Sequence, residues 1–131
     1  MVVVLVHWLI KKGKEEEFKK HWYSMTIDDN SGLYREILTE PDKNIHDTKF
    51  QTFSLENPNY TTFINIGIWK SLDDFDKAIG KYIPNVKITK KKGKTIQQIE
   101  LDDFEFKLRE RIVLKTIKSR GGSLPKADLK N

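Results

Sequence analysis

Two runs of apolar residues constrain the fold of this chain more than any other feature. Val2–Ile10 and Tyr60–Trp69 are rich in β-branched and aromatic side chains and are bounded by turn residues, a combination that favours strands. Successive side chains of a strand point to opposite faces of its sheet. Both runs are apolar at both parities, so the sheet that contains them should be covered on both faces.

Two helices are predicted from periodic apolar residues and from their end signals. The first lies between Lys14 and the turn-forming cluster at 28–32, because apolar residues recur at helical spacing: Phe18, Trp22 and Met25. The second should begin after Ser71, whose side chain can cap a helix N-terminus, and end near Pro84.

Further strands are predicted for Leu33–Leu38, for the short segment Lys49–Ser54 and for Phe104–Leu114. The last of these alternates between an apolar and a charged face. The apolar face carries Phe104, Phe106, Leu108 and Ile112, and the charged face carries Glu105, Lys107, Arg109 and Arg111. Residues 85–103 fit either a hairpin insertion or a mobile loop.

The order of these elements predicts an α+β fold, a ferredoxin-like β-α-β-β-α-β antiparallel sheet with both helices on one face. The second face would then expose an apolar patch, and such patches usually mark an interface. A two-fold partner would cover it with one self-complementary surface, so a homodimer is expected. Residues 1–120 should form a single domain, and 121–131 a flexible tail.

Composition narrows the function classes. The 131 residues include no cysteine, which excludes disulfides and thiol chemistry and suits a reducing cytoplasm. The apolar opening lacks a basic leader and is too short to span a bilayer, so no membrane association is expected. The net charge is +5, but no aromatic residue interleaves with the basic run Lys90–Lys94 to stack on bases, so nucleic acid is not expected as a partner.

Two segments resemble the antibiotic biosynthesis monooxygenase-like family of dimeric α+β barrels. Val4–Phe18 (VLVHWLIKKGKEEEF) is similar to its opening strand, Lys-Gly-Lys turn and first helix, and Phe63–Phe75 (FINIGIWKSLDDF) to its strand ending in Trp-x-Ser. Ser31-Gly32-Leu33 lies between them in the expected order. The loops after Pro41 and Pro84 are longer than in that family. The resemblance implies a pocket between sheet and helices in each subunit of a dimer.

The family resembled includes cofactor-independent quinone-forming monooxygenases, haem-degrading enzymes and proteins without known activity. Its haem degraders use an Asn on the first strand, a Trp at the end of the third and a His in the second helix. Trp69 matches the Trp, but Val6 or His7 stands near the Asn position, and the second helix contains no His. Haem degradation is therefore disfavoured, and no cofactor is expected.

Three residues are the candidates for a catalytic role. His7 is either a core-edge histidine bonded to backbone or a general base, for which its near-neutral titration suits it. Asn65, an amide within an apolar strand, must find partners and either ties down neighbouring chain or faces a ligand. Trp69 serves packing or ligand contact.

The candidates for substrate binding are Trp22, Gly67, Arg109 and Arg111. Trp22 is favoured as a core residue, Gly67 could make room beside Trp69, and the two arginines either grip an anionic substrate or form an exposed charged face. No metal site is predicted, because the histidines show no suitable spacing with carboxylates.

Two functions stay open. One is a small-molecule-binding homodimer, with cofactor-independent monooxygenation of an aromatic or polycyclic substrate that itself supplies electrons to oxygen. The other is a non-catalytic dimeric module that uses its basic surface to bind a protein or an anionic partner. A partly polar cavity lined by Asn65 and Trp69 would favour the first function. A packed core at both positions would favour the second.

Overall fold

The computed structural model describes residues 1–83 and 86–123, so most of the predicted C-terminal tail lies outside the described residues. The predicted β-α-β-β-α-β order is confirmed, with a hairpin inserted before the last strand. The elements in chain order are β1 (Val2–Lys11), α1 (Glu15–Ser24), β2 (Leu33–Thr39), β3 (Tyr60–Trp69), α2 (Leu72–Gly80), β4 (Val86–Lys91), β5 (Lys94–Ile99) and β6 (Glu105–Lys115).

The four long strands form one antiparallel sheet in the order β2-β3-β1-β6. The two strands in its centre are β1 and β3, the runs that are apolar at both parities. This placement agrees with their sequence, because one apolar parity of each central strand is buried under the helices and the other contributes to the opposite face of the sheet.

Both helices pack on the same face of this sheet, so the predicted ferredoxin-like α+β fold is confirmed. Phe18 of α1 and Phe75 of α2 belong to one buried cluster with alternate residues of the central strands. Phe18 lies against Trp8 and Phe63, with ring centroids 5.1 and 4.9 Å apart. The strand residues of this cluster are Val4, Val6, Trp8 and Ile10 of β1 and Phe63 and Trp69 of β3.

The opposite side of the sheet, here called the open face, is also apolar. Neither α1 nor α2 packs against it. The strand registers place on it Val3 and Leu5 of β1, Ile37 of β2, Ile64, Ile66 and Ile68 of β3, and Ile112 and Leu114 of β6. Ile112 is 57% exposed, since β6 lies at the edge of the sheet.

The charged residues of β6 do not form the regular exposed face that the alternating sequence predicted. The pairing of β6 with β1 shifts register twice, with one extra β6 residue between Glu105 and Lys107 and another between Lys107 and Glu110. Each bulge re-aims the side chains that follow it, so two bulges together restore the original alternation. Glu105, paired with Ile10, and Arg111, paired with Val6, therefore both share the face of the helices, where Glu105 is fully buried, whereas Ile112 belongs to the open face.

The predicted strand Lys49–Ser54 is wrong. This segment belongs to an irregular loop, in which the carboxylate of Asp47 accepts hydrogen bonds from the backbone N–H and the hydroxyl of Thr52. Local bonds of this kind compete with strand pairing. The loop leaves Phe50 and Phe53 82% and 86% exposed.

Residues 86–99 form a hairpin, which decides between the two alternatives left by the sequence. Its strands β4 and β5 pair with each other in a separate sheet, and the turn between them is Lys92-Gly93. Both turn residues have positive φ, the conformation that two-residue hairpin turns require.

Helix α1 ends at Ser24, earlier than predicted, while α2 begins as the sequence indicates. The hydroxyl of Ser24 donates to the carbonyl of His21, and Met25 is already extended. The backbone N–H of Asp74 donates to Ser71 Oγ at 3.2 Å, so the predicted N-cap is confirmed.

Candidate functional site

A cleft of about 470 Å³ lies between the helix-covered face of the sheet and the two helices. This volume falls within the range that is common for small-molecule sites. Most of its walls are apolar, and a few polar groups converge on it. Its apolar residues are Val6, Trp8, Trp22, Met25, Ile27, Phe75, Ile79, Ile83 and Leu108, with Gly80, and its polar residues are Glu36, Asn65, Asp76, Arg109, Glu110 and Arg111.

Four of the predicted site residues meet in this cleft, and three do not line it. Trp22, Asn65, Arg109 and Arg111 come from α1, β3 and β6 and contribute to its walls. Trp69 and Gly67 lie on the same face of β3 but outside the lining. His7 lies on the open face. The sequence analysis required a cavity lined by both Asn65 and Trp69. The cleft is lined by Asn65 but not by Trp69.

Trp69 is a core residue held by two neighbours. Its indole is fully buried and meets the ring of Phe75 edge-on, with centroids 5.5 Å apart. It also lies across Gly67, where an added Cβ would be 2.5 Å from the indole nitrogen. Gly67 thus makes room for the indole of Trp69 itself, and it does not line the cleft.

His7 is removed from the cleft by the alternation of β1, since its neighbours Val6 and Trp8 point to the helices. Its Nε2 lies 3.5 Å from Thr62 Oγ1. Burial lowers the pKa of His7 below its ordinary value, and the charge of Glu110 opposes this effect. The neutral imidazole is therefore favoured, on the face opposite the proposed pocket.

Glu36, which the sequence analysis did not select, lies beside Asn65 in the cleft. It pairs with Gly67 across the β2–β3 ladder, and Asn65 pairs with Leu38, so the two side chains are diagonal neighbours on one face. Burial raises the pKa of Glu36, and a hydrogen bond from the Asn65 amide opposes part of the rise. An acidic residue inside the predicted strand Leu33–Leu38 was the available signal.

Two acceptor atoms of this pair, called here the Glu36–Asn65 acceptors, lack hydrogen-bond partners within the described part of the chain. They are Glu36 Oε2 and Asn65 Oδ1, and both are enclosed. Asn65 as a whole is only 5% exposed. A buried polar atom without a partner costs about 1–3 kcal/mol, which makes the pair the least satisfied point of the cleft.

Trp8 is a second residue that the sequence analysis did not select. The guanidinium of Arg109 lies 5.3 Å from the centre of its ring, within the range of a cation–π contact. Its indole N–H is buried and has no acceptor among the described residues. The cleft therefore offers one donor in addition to the two acceptors. Because β1 is apolar on both faces, its sequence gives no indication that Trp8 lines a cleft.

Arg109 is held by a buried ion pair. Its Nη1 donates to both carboxylate oxygens of Glu105, at 2.7 and 2.9 Å, and little of either side chain is exposed. Burial raises the pKa of Glu105, while the charge of Arg109 opposes the rise. Removing one partner of such a pair leaves a buried charge and is strongly destabilising. The pair thus fixes the position of Arg109 above Trp8.

Arg111 is paired as well. Its Nη1 lies 2.6 Å from Asp76 Oδ1 of α2, and its guanidinium is 5.5 Å from the ring of Phe75. Both arginines of the cleft therefore already have a carboxylate partner. Because Glu36 also lines the cleft, these arginines do not create an excess of positive charge that would favour an anionic ligand.

A second cavity, about 950 Å³, lies between the irregular loop and the residues that begin α1 and β3. Lysines and glutamates share its lining, and none of the unpartnered buried atoms found within residues 1–83 and 86–123 belongs to it. In those same ranges no group of three or more histidine, aspartate or glutamate side chains is arranged to hold a metal ion. Neither α1 nor α2, the helices of the described ranges, is long and apolar enough to cross a membrane.

The fold and the cleft together define a ferredoxin-like α+β protein with a ligand-sized cavity between its sheet and helices. Among solved structures, the chain is similar to a point mutant of MhuD with two manganese protoporphyrin IX molecules bound per active site. The TM-score is 0.56 at 12% sequence identity, over 93% of this chain and 100% of that chain. This identity shows a common fold alone. No protein-family model and no curated protein matches the chain.

Proposed function

We propose that this protein is a small-molecule-binding homodimer whose cleft takes a flat, uncharged aromatic ligand. The observation that carries the proposal is the combination of aromatic walls, Trp8, Trp22 and Phe75, with unpartnered polar atoms at one place in a cavity of about 470 Å³. Aromatic rings stack or meet edge-on with other rings, and the few polar groups fix orientation.

The charges of the cleft favour an uncharged ligand over a porphyrin. The MhuD mutant, which shares the fold, holds manganese protoporphyrin IX, whose propionates are anionic. Here Arg109 and Arg111 are already paired with carboxylates. No histidine is among the lining residues, so the usual ligand of haem iron is missing from the cleft. The residues present do not fit a haem group.

The homodimer is supported by the open face. Its apolar residues cover four strands, and neither helix shields them. A second copy related by a two-fold axis would bury the same patch on both subunits.

The activity that we propose for the dimer is cofactor-independent monooxygenation of its ligand. A ring methylene activated by a neighbouring carbonyl would be converted to a second carbonyl. One atom of O₂ enters the product and the other leaves as water, and the carbon supplies the four electrons. Apolar walls suit this chemistry, because they exclude water from the reacting carbanion. Asn65 and Trp22 would orient the ring.

The test uses 2-hydroxyanthrone, an uncharged tricyclic ketone with an acidic methylene and a phenolic hydroxyl. We expect the wild-type protein to bind it with quenching of tryptophan fluorescence and, after treatment with a chelator, to consume oxygen in its presence. Trp22→Ala should weaken binding about fivefold, the equivalent of the roughly 1 kcal/mol of an aromatic contact. The matched control is Tyr23→Ala, which changes the next residue of α1, one that lies outside the cleft.

Each outcome has a defined meaning. Binding without oxygen uptake would support the alternative function, a non-catalytic dimeric binding module. Equal binding by both variants would place the ligand outside the cleft and contradict the proposal.

A further inference from the structure

The Glu36–Asn65 acceptors specify which polar group a ligand should carry. Glu36 Oε2 and Asn65 Oδ1 can accept hydrogen bonds, and a carboxylate has nothing to donate. A ligand that presents only a carbonyl or ether oxygen at this point would add a third acceptor. A ligand that presents an O–H or N–H group would supply what both atoms lack.

The position of this pair makes it accessible from the cleft. Glu36 and Asn65 both line the cavity, and Glu36 is partly exposed, although the two acceptor atoms themselves are enclosed. The terminal torsion of a glutamate is soft, so its carboxyl group can turn toward the cavity at little cost. The main chain on both sides is fixed by the β2–β3 ladder.

Electrostatics support the same assignment. The two guanidinium groups that line the cleft are bound to carboxylates other than Glu36, Arg109 to Glu105 and Arg111 to Asp76. Within the described residues no cation is seen in contact with Glu36 Oε2, and its pKa is raised by burial. A carboxylate in this state is a strong hydrogen-bond acceptor and readily takes a proton.

We propose that Glu36 and Asn65 form a recognition site for a hydrogen-bond donor on the ring of an aromatic ligand, a phenolic hydroxyl or an aromatic N–H. This inference rests on the proposed function, because it assumes an aromatic ligand in the cleft. The site selects ligands by the donor, and a ring whose oxygen is methylated binds it more weakly. Glu36 is the primary acceptor and Asn65 positions it.

The test compares three probes of one ring system, 2-naphthol, 2-naphthylamine and 2-methoxynaphthalene. Binding is measured by calorimetry on the wild type, on Glu36→Gln and on the control Glu40→Gln, whose exposed side chain follows the end of β2. We expect the wild type and the control to bind 2-naphthol about tenfold more tightly than 2-methoxynaphthalene, the effect of one hydrogen bond to a charged group. Comparison of 2-naphthol with 2-naphthylamine shows whether the site prefers an O–H or an N–H donor.

Glu36→Gln places an amide N–H where the second oxygen was, so the preference for 2-naphthol should disappear or reverse. Equal binding of all three probes by the wild type would overturn this inference and leave the aromatic cleft intact. An unchanged preference in a folded Glu36→Gln variant would also overturn it, because the donor of the ligand would then bind an acceptor other than the Glu36 carboxylate. Failure of every probe to bind would contradict the proposed function, and this inference with it.

Discussion

Glu36 should link the stability of the protein to pH. Burial raises its pKa in the folded state. A carboxyl group with a raised folded pKa contributes stability below its unfolded pKa of about 4.3, and that contribution is lost as the pH rises through the folded pKa. We therefore expect Glu36→Gln to stabilise the protein by about 1 kcal/mol at neutral pH, the lower end of the cost of an unsatisfied buried group.

The measurement is urea unfolding over a pH series. The increase in the free energy of unfolding caused by Glu36→Gln should shrink as the pH falls toward 4. The wild-type carboxyl group then becomes protonated in the unfolded state as well as in the folded state. Glu40→Gln, at an exposed position, should follow the wild-type curve. A loss of stability at neutral pH would mean that the carboxylate is better solvated than its burial indicates.

Single residues also show what the sequence could and could not predict about the site. Asn65 was identified because an amide is out of place in an apolar strand. Glu36 was not, since its strand also carries exposed polar residues, and only the register with β3 shows that it points inward. Whether His7 faces the helices depends on which set of alternate β1 residues they cover. Because both sets are apolar, the sequence does not show which one that is.

At the scale of elements, the contact between β3 and α2 depends on the absence of a side chain at Gly67. An alanine at position 67 would place its Cβ 2.5 Å from the indole nitrogen of Trp69, which is itself packed against Phe75 of α2. Buried rings cannot move aside without disturbing the core, and overpacking costs about 1–3 kcal/mol. We expect Gly67→Ala to destabilise the protein by this amount in urea unfolding, with a changed near-ultraviolet circular dichroism spectrum.

The control for this substitution is Gly80→Ala. Position 80 ends α2, and an added Cβ there would meet no atom within 4 Å. Alanine also has the higher helix propensity, so stability should stay the same or rise slightly. A Gly67→Ala variant as stable as this control would mean that Trp69 has a second position available to it.

Elements with a strong apolar pattern were predicted correctly, and the register of β6 was not. The central strands and the order of elements follow from side-chain type alone. The two register shifts of β6 do not, because alternating charges look the same with or without a shift of register. The face of β6 that carries Glu105 and Arg109 was predicted to be charged and exposed, whereas it turns toward the helices and these two side chains are buried as an ion pair.

At the scale of the whole molecule, the open face should determine the number of subunits. Light scattering at micromolar concentration should give about twice the 15.4 kDa mass of one chain. Ile112→Glu would place a charge within the apolar patch and should yield a folded monomer, because an unpaired charge is costly to bury. The control is Ile117→Glu, at a residue beyond β6 that is 98% exposed. A wild-type monomer would contradict the proposed homodimer.

Phe50 and Phe53 carry a consequence for how such a protein would be made. A newly synthesised chain that has folded but has not yet met a second copy displays both of these phenyl rings in addition to the apolar residues of the open face. Exposed apolar surface of this kind favours nonspecific aggregation over formation of the correct dimer. The yield of folded protein would then depend on how quickly two copies of the chain associate. Expression at a low level would give the lowest yield, because each monomer waits longest for its partner.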